Sequence, residues 1–358
     1  MTAYIYFYIA TIFLLAVNPI KKLSSFWIAV AISTLFAGFR HNVGYDYLNY
    51  VSFYTHPEIL SNFELEPLFK LSIYACRLVT YDYHFFFFLC SLITVTFTAL
   101  GIRKISLHPG YSYLLYILIP SLYLTSFSIV RFAVAASIFF YGLTIYLKSG
   151  GDKKKTLFLY IVLASGFHYS AALLSLIFFR DGFLRVRYST SFYLVFLCFS
   201  FTLYYSEITP YLLSRLLVYK YSVYQENMGA STQLKIIILF LFYIFILIES
   251  KYLTATFQNN LMLNIFLFSS LLTIALYDFP HVARFGYFFT IIQIILIPTV
   301  YLSKNKLITK ERLYWQYYTL ILLGIYYVIV PAYILRTDLQ QDILIKFTPY
   351  DNFLFHLW

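Results

Sequence analysis

Long apolar runs separated by short polar clusters dominate the chain. Thr2–Val17, Ser24–Phe39, His84–Gly101, Tyr111–Phe127, Phe132–Leu147, Ser189–Ser206, Gln233–Ile248, Asn260–Tyr277, Phe285–Leu302 and Leu313–Leu335 each predict a membrane helix. The first run lacks a basic start and a small-residue cleavage site, so it is expected to remain as a helix rather than to act as a signal peptide.

Two stretches break the rhythm. "EPLFKLSIYACRLVT", Glu66 to Thr80, carries Lys70 and Arg77 and keeps one polar face. Charges are costly in lipid, so an amphipathic helix lying at the interface is predicted. Thr156–Phe179 is long for one span and has His168 at its centre. Two short helices meeting at His168 are predicted, an arrangement that proteins tolerate where a cavity is lined.

Basic clusters then assign the sides. Lys21 and Lys22, "RKISLHPG", "KSGGDKKK", "RDGFLRVR" and "SKNKLITKER" fall on the cytoplasmic side. External loops follow at about 40–82 and 207–232. The expected fold is all-α: one polytopic membrane domain over 1–358, with about ten full spans and a half-helix pair.

Composition strengthens this picture. The chain is 61% hydrophobic and 11% charged, where a soluble domain carries about 25% charge. Mean hydropathy is +0.75. The net charge of +11 sits mostly in short loops, which suits an anionic lipid surface rather than nucleic acid. The 3 cysteines, Cys76, Cys90 and Cys198, lie in apolar surroundings without metal or redox spacing.

Ionisable residues collect on the outer side: Arg40, His41, Asp46, Glu64, Glu66, Arg131, His168, Asp278, His281 and Arg284. Basic residues there run against the positive-inside bias. Arg131 in "SFSIVRFAVAA" and Arg284 in "FPHVARFGYFF" have apolar neighbours on both sides, which points to function. A guanidinium fork suits phosphate oxygens, so Arg40, Arg131 and Arg284, with His281, are candidates to bind a diphosphate. Asp46, Glu66 and His168 are candidate bases. Tyr47, Tyr50 and Tyr350 are candidate sugar contacts. Each also has a plain structural alternative: an internal ion pair, a snorkelling cation, a helix cap or an interfacial aromatic. No zinc-type, P-loop or nucleotide-sugar motif is present, so neither a metal nor another cofactor is implied.

"RHNVGYDYLNY", Arg40 to Tyr50, resembles the R-x-x-V-G-x-D-Y-x-x-Y signature of the EpsG-type family of bacterial polysaccharide polymerases, close to the Wzy O-antigen polymerases. "ELEPLFKL", "SIVRFAVA", "SGFHYSAAL", "VARFGYFF" and "IKFTPYDNF" are similar to later family elements in the same order. The resemblance implies a GT-C-like membrane glycosyltransferase. It would move a growing glycan from undecaprenyl diphosphate onto a new lipid-linked unit at the periplasmic face of the inner membrane. Implied partners are the undecaprenyl-diphosphate-linked oligosaccharide, membrane lipids, a flippase and a chain-length regulator. The alternatives are a lipid-linked-oligosaccharide flippase, which should show cations through the full depth of a cavity and two similar halves, and an O-antigen ligase.

Overall fold

A computed structural model describes residues 2–17, 22–206, 230–276, 280–305 and 350–352. Apolar stretches become helices because hydrocarbon offers the backbone no other hydrogen-bond partner. Contacts divide the chain into two compact units: residues 1–176 with 310–358, and residues 177–309.

In the first unit, α1 (Thr2–Ile12) continues as a π-helical turn to Val17, and α2 spans Lys22–Gly38. A two-residue strand β1 (Arg40–His41) pairs antiparallel with β2 (Asp351–Asn352), Arg40 opposite Asn352 and His41 opposite Asp351. α3 (Tyr47–Thr55), a 3-10 turn (Pro57–Asn62) and α4 (Pro67–Val79) occupy the segment expected to be an outer loop. α5 (Tyr83–Ile105), α6 (Pro109–Leu118), α7 (Thr125–Ser128), α8 (Val130–Lys148) and α9 (Lys154–Ser165) follow. Helix resumes after His168 as a 3-10 turn (Tyr169–Leu173) and α10 (Leu174–Phe179). Proline at the first turn of α4 and α6 marks their starts, where a missing N–H costs nothing.

The second unit holds α11 (Gly182–Arg185), α12 (Thr190–Tyr205), α13 (Ala230–Glu249), α14 (Phe257–Ser270, then a π turn to Ala275), α15 (Pro280–Thr290) and α16 (Gln293–Asn305). Asn264 ties this unit internally. Its amide donates to the carbonyls of Leu184 at 2.8 Å and Val186 at 2.7 Å, and its oxygen accepts from the Tyr193 hydroxyl at 2.8 Å.

Among the described residues, Tyr83–Ile105, Val130–Lys148, Phe257–Ala275 and Arg284–Tyr301 are long and apolar enough to cross a membrane. Shorter apolar helices accompany them. On α12, Tyr193, Leu197, Ser200 and Tyr204 are buried, while Phe192, Val195 and Phe199 are exposed. An outward face that is itself apolar suits lipid, not water. The chain is an all-α membrane protein.

Some expectations shift. The run Tyr111–Phe127 is not one helix: α6 ends at Leu118, and Ile119 turns to extended backbone (φ −78, ψ 108). Pro120 explains the break, because it disfavours helical geometry in the residue before it. Within the run Phe285–Leu302 a turn at residues 291–292 separates α15 from α16, and Arg284–Tyr301 is still long and apolar enough to cross. α4, at 13 residues, measures about 20 Å and does not reach across the roughly 30 Å hydrocarbon layer. It buries Phe69, Ile73 and Cys76 and exposes Leu71, Tyr74 and Leu78. Residues 207–229 of the second loop and the predicted span Leu313–Leu335 lie outside the described residues.

α5, α8 and α9 form the heart of the first unit, and small residues set their spacing. A Cβ on Gly142 of α8 would sit 2.4 Å from Cβ of Tyr160 on α9. Gly142→Leu should therefore wedge the two helices apart and cost about 1–3 kcal/mol. Thermal unfolding of the detergent-solubilised protein checks this; an unchanged transition would contradict the packing.

Candidate active site

The segment after α2 reverses tightly. Asn42 has φ 53 and Gly44 has φ 111, both in the left-handed region. A Cβ on Gly44 would lie 2.3 Å from the Phe127 carbonyl oxygen, so glycine is required on two counts. Ser128 Oγ accepts the Tyr45 N–H at 3.1 Å and holds the turn against the start of α8.

Arg40 anchors this turn from inside. It is 1% exposed. Nε donates to the Val43 carbonyl at 3.1 Å, Nη2 to Phe127 at 3.0 Å, and Nη1 to Ala37. Its guanidinium carbon lies 4.8 Å from the Phe87 ring centre and 5.1 Å from that of Phe127. Burial pulls the guanidinium below its usual range, and the Tyr47 and Tyr350 phenols oppose that. In this structure all three of these donors go to backbone carbonyls around the turn.

Arg131 is placed differently. Its side chain is 27% exposed, and Nη1 donates to Glu66 Oε2 at 2.6 Å. Its Nε is buried and has no hydrogen-bond partner. The guanidinium also lies over the Phe69 ring, 5.3 Å from its centre. Glu66 precedes α4, and its side chain does not cap that helix. Its second oxygen accepts the Tyr169 N–H at 3.2 Å. Nearby, the Gly166 carbonyl accepts the N–H groups of Leu68 and Phe69, at 2.9 and 3.2 Å. The start of α4 is thus docked on the junction between α9 and the following 3-10 turn. With both oxygens engaged and 3% exposure, Glu66 orients Arg131.

His168 stands at that junction. Its Nδ1 lies 2.7 Å from Ser170 Oγ, and its ring meets Phe132 edge-on at 5.3 Å. Asp46 precedes α3 and does not spend its side chain on capping it. Tyr50, one turn along α3, links the two sides: burial pushes its phenol up, Arg131 opposes this, and Asp46 adds to it. Asp46, Tyr50, Arg131, Glu66 and the His168 turn therefore form one neighbourhood.

The three tyrosines singled out for sugar are used in packing. Tyr47 stacks on Phe87 at 4.5 Å, and Tyr350 stacks on Phe36 at 4.0 Å. Tyr350 also donates to the Phe36 carbonyl at 2.6 Å. Tyr50 is 4% exposed and meets Phe69 edge-on at 5.9 Å. Arg284 is half-buried on α15 in the second unit. The His281 side chain and Asp278 lie outside the described residues. Among the described residues, no group of three His, Cys, Asp or Glu side chains is placed to hold a metal ion.

Sequence reasoning missed one cluster. Asp82 accepts from His84, and His84 reaches His41. The signal was local: an aspartate two residues before a histidine, where an apolar run begins.

The sequence matches the family model described as "EpsG family" over residues 23–351. No curated protein and no solved structure matches it.

If Arg40 is structural, Arg40→Lys should destabilise the protein, since an ammonium replaces a fork that reaches three carbonyls. Hydrogen bonds to charged groups contribute about 1.5–3 kcal/mol each. Thermal unfolding should fall further for Arg40→Lys than for Arg131→Lys. The reverse order would return Arg40 to the ligand set.

Proposed function

We propose, from the premise that the chain belongs to the EpsG family, that it is a membrane glycosyltransferase polymerising lipid-linked polysaccharide repeat units of the exopolysaccharide or O-antigen kind. The donor is the growing glycan on undecaprenyl diphosphate. The acceptor is the non-reducing end of a new unit on the same carrier. The chemistry runs at the periplasmic face of the inner membrane, in a GT-C-like fold of about ten spans. A flippase supplies the units and a chain-length regulator acts beside the enzyme.

The observation that carries this reading is Arg131. It is a partly exposed guanidinium at the head of an apolar helix, fixed by Glu66, with a buried Nε that has no acceptor. A diphosphate with its tail in the bilayer supplies acceptors at that depth. Loss of undecaprenyl diphosphate develops negative charge on the leaving oxygen. Donors already in place stabilise that charge without reorganising. No metal is needed for that role. Glu66 is a positioning residue that holds the fork. Asp46 faces the incoming sugar and accepts its hydroxyl proton. His168 adds a donor or base.

The test is complementation of a polymerase-deficient strain carrying the matching repeat-unit genes, with surface polysaccharide resolved on a gel. Wild type should restore a ladder. At equal membrane levels, Arg131→Ala and Asp46→Asn should leave single repeat units, and Arg131→Lys and Glu66→Gln should shorten the ladder. A wild-type chain that yields no ladder, while repeat units reach the outer face, would overturn the polymerase reading. An intact ladder from Arg131→Ala would remove Arg131 from the site.

A further inference from the structure

Three more titratable side chains form a line beside the turn that carries Asp46. An Asp82 oxygen lies 2.7 Å from Nδ1 of His84 and also accepts the His84 backbone N–H at 2.9 Å. Nε2 of His84 lies 3.2 Å from Nδ1 of His41. The His84 side chain is 6% exposed and that of Asp82 41%, so the line runs from a wet carboxylate through a covered imidazole to His41.

The hydrogens follow from the chemistry of the partners. A carboxylate accepts, so His84 carries its hydrogen on Nδ1. Its Nε2 then accepts, and Nδ1 of His41 donates. Proton exchange at His41 falls to Nε2. When Nε2 takes a proton, the new positive charge is backed through His84 by the Asp82 carboxylate. A carboxylate behind an imidazole is how a histidine is held in one tautomer for proton transfer.

The backbone keeps this line close to the proposed site. The reversal through Asn42 and Gly44 brings Tyr47, the residue after Asp46, back to His41, with ring centres 6.2 Å apart. Tyr47 and Tyr50 both pack on Phe87, one turn apart on α3. About 4.5 Å of helix rise therefore separates the tyrosine beside His41 from the tyrosine beside Arg131. Among the described residues, the other charged or titratable neighbours of this line include Arg40 before His41, Asp351 opposite it across the β1–β2 pair, and Tyr83, whose ring centre lies 4.2 Å from that of His84.

We propose that His41 carries away the proton released by glycosyl transfer, with His84 and Asp82 as positioning residues. This rests on the polymerase reading. The acceptor hydroxyl oxygen bonds to the anomeric carbon as the bond from that carbon to the phosphate oxygen breaks. The diphosphate leaves with the electron pair. The hydroxyl proton passes to the Asp46 carboxylate, then to Nε2 of His41, then to water. Imidazole is a stronger base than carboxylate, so a histidine is the kind of side chain suited to take that proton on. A polymerase repeats its step many times, and each addition needs Asp46 ionised again.

The experiment measures labelled polysaccharide made per minute by the complemented strain, with the medium held between about pH 5.5 and 8.5, the range in which histidine changes charge. Wild type, His41→Gln, His84→Gln and Asp82→Asn are compared at matched membrane levels and matched thermal unfolding. Wild-type rate should fall on the acid side of this range if a histidine must accept the proton. His41→Gln should lose tenfold or more at neutral pH and flatten the acid fall. His84→Gln keeps an acceptor for His41, and Asp82→Asn keeps the shape of the carboxylate. Both should move the acid fall to lower pH, because Asp82→Asn removes the negative charge behind His41 and His84→Gln breaks the imidazole link to it. Should His41→Gln fail to reach the membrane, these two variants decide the matter. Wild-type rates and an unmoved acid limb in the variants would overturn the relay and leave the polymerase reading standing. No polymer from wild type would overturn that reading and the relay with it.

Discussion

A guanidinium and a carboxylate placed among apolar helices must find each other, because neither is tolerated alone away from water. Arg131 and Glu66 do so at 2.6 Å, across 65 positions of sequence. That contact joins the head of α8 to the start of α4. The second Glu66 oxygen extends it to the backbone after His168. Three separate sequence elements are fixed around one ion pair, and the proposed site is built on it. A buried pair of this kind adds little net stability, since desolvation offsets attraction. Its value lies in geometry: it holds one guanidinium edge in place and leaves Nε without an acceptor.

Arg40 shows the other use of the same side chain. Arg131 has apolar neighbours on both sides and Arg40 is followed by His41 and Asn42, yet neither context says what the fork meets. Arg40 turns inward and gives its donors to Ala37, Val43 and Phe127. It stiffens the turn that carries His41 and Asp46. Arg131 has a carboxylate partner and partial exposure, so it keeps capacity for a ligand. The difference lies in what each fork meets after folding.

Much of the helical framework was legible because it is local. Apolar runs near 20 residues give helices, and the break at His168 follows from a polar group stranded in a long run. The short helix over Pro67–Val79 is likewise legible from its charges. The interruption at Pro120 was marked by the proline itself and overridden by the apolar residues around it. Non-local pairing was not legible. Tyr350 donates to Phe36 across 314 positions, and the β1–β2 pair closes beside that bond. Nothing in either segment alone announces the other. The histidine line was hidden for the same reason: His41 and His84 are 43 positions apart, and His84 read as the first residue of a span. Candidate residues stand out in the sequence where charge is out of place in lipid. Their roles came only from what they touch.

In the proposed reaction the Arg131–Glu66 pair presents a guanidinium to a lipid diphosphate. Native mass spectrometry of the purified protein titrated with undecaprenyl diphosphate, against phosphatidylglycerol as competitor, tests it most directly. Wild type should bind one diphosphate lipid, and Arg131→Gln and Glu66→Gln variants that remain folded should bind it at least tenfold more weakly. Equal binding by all three proteins, or displacement by phosphatidylglycerol at parity, would contradict it.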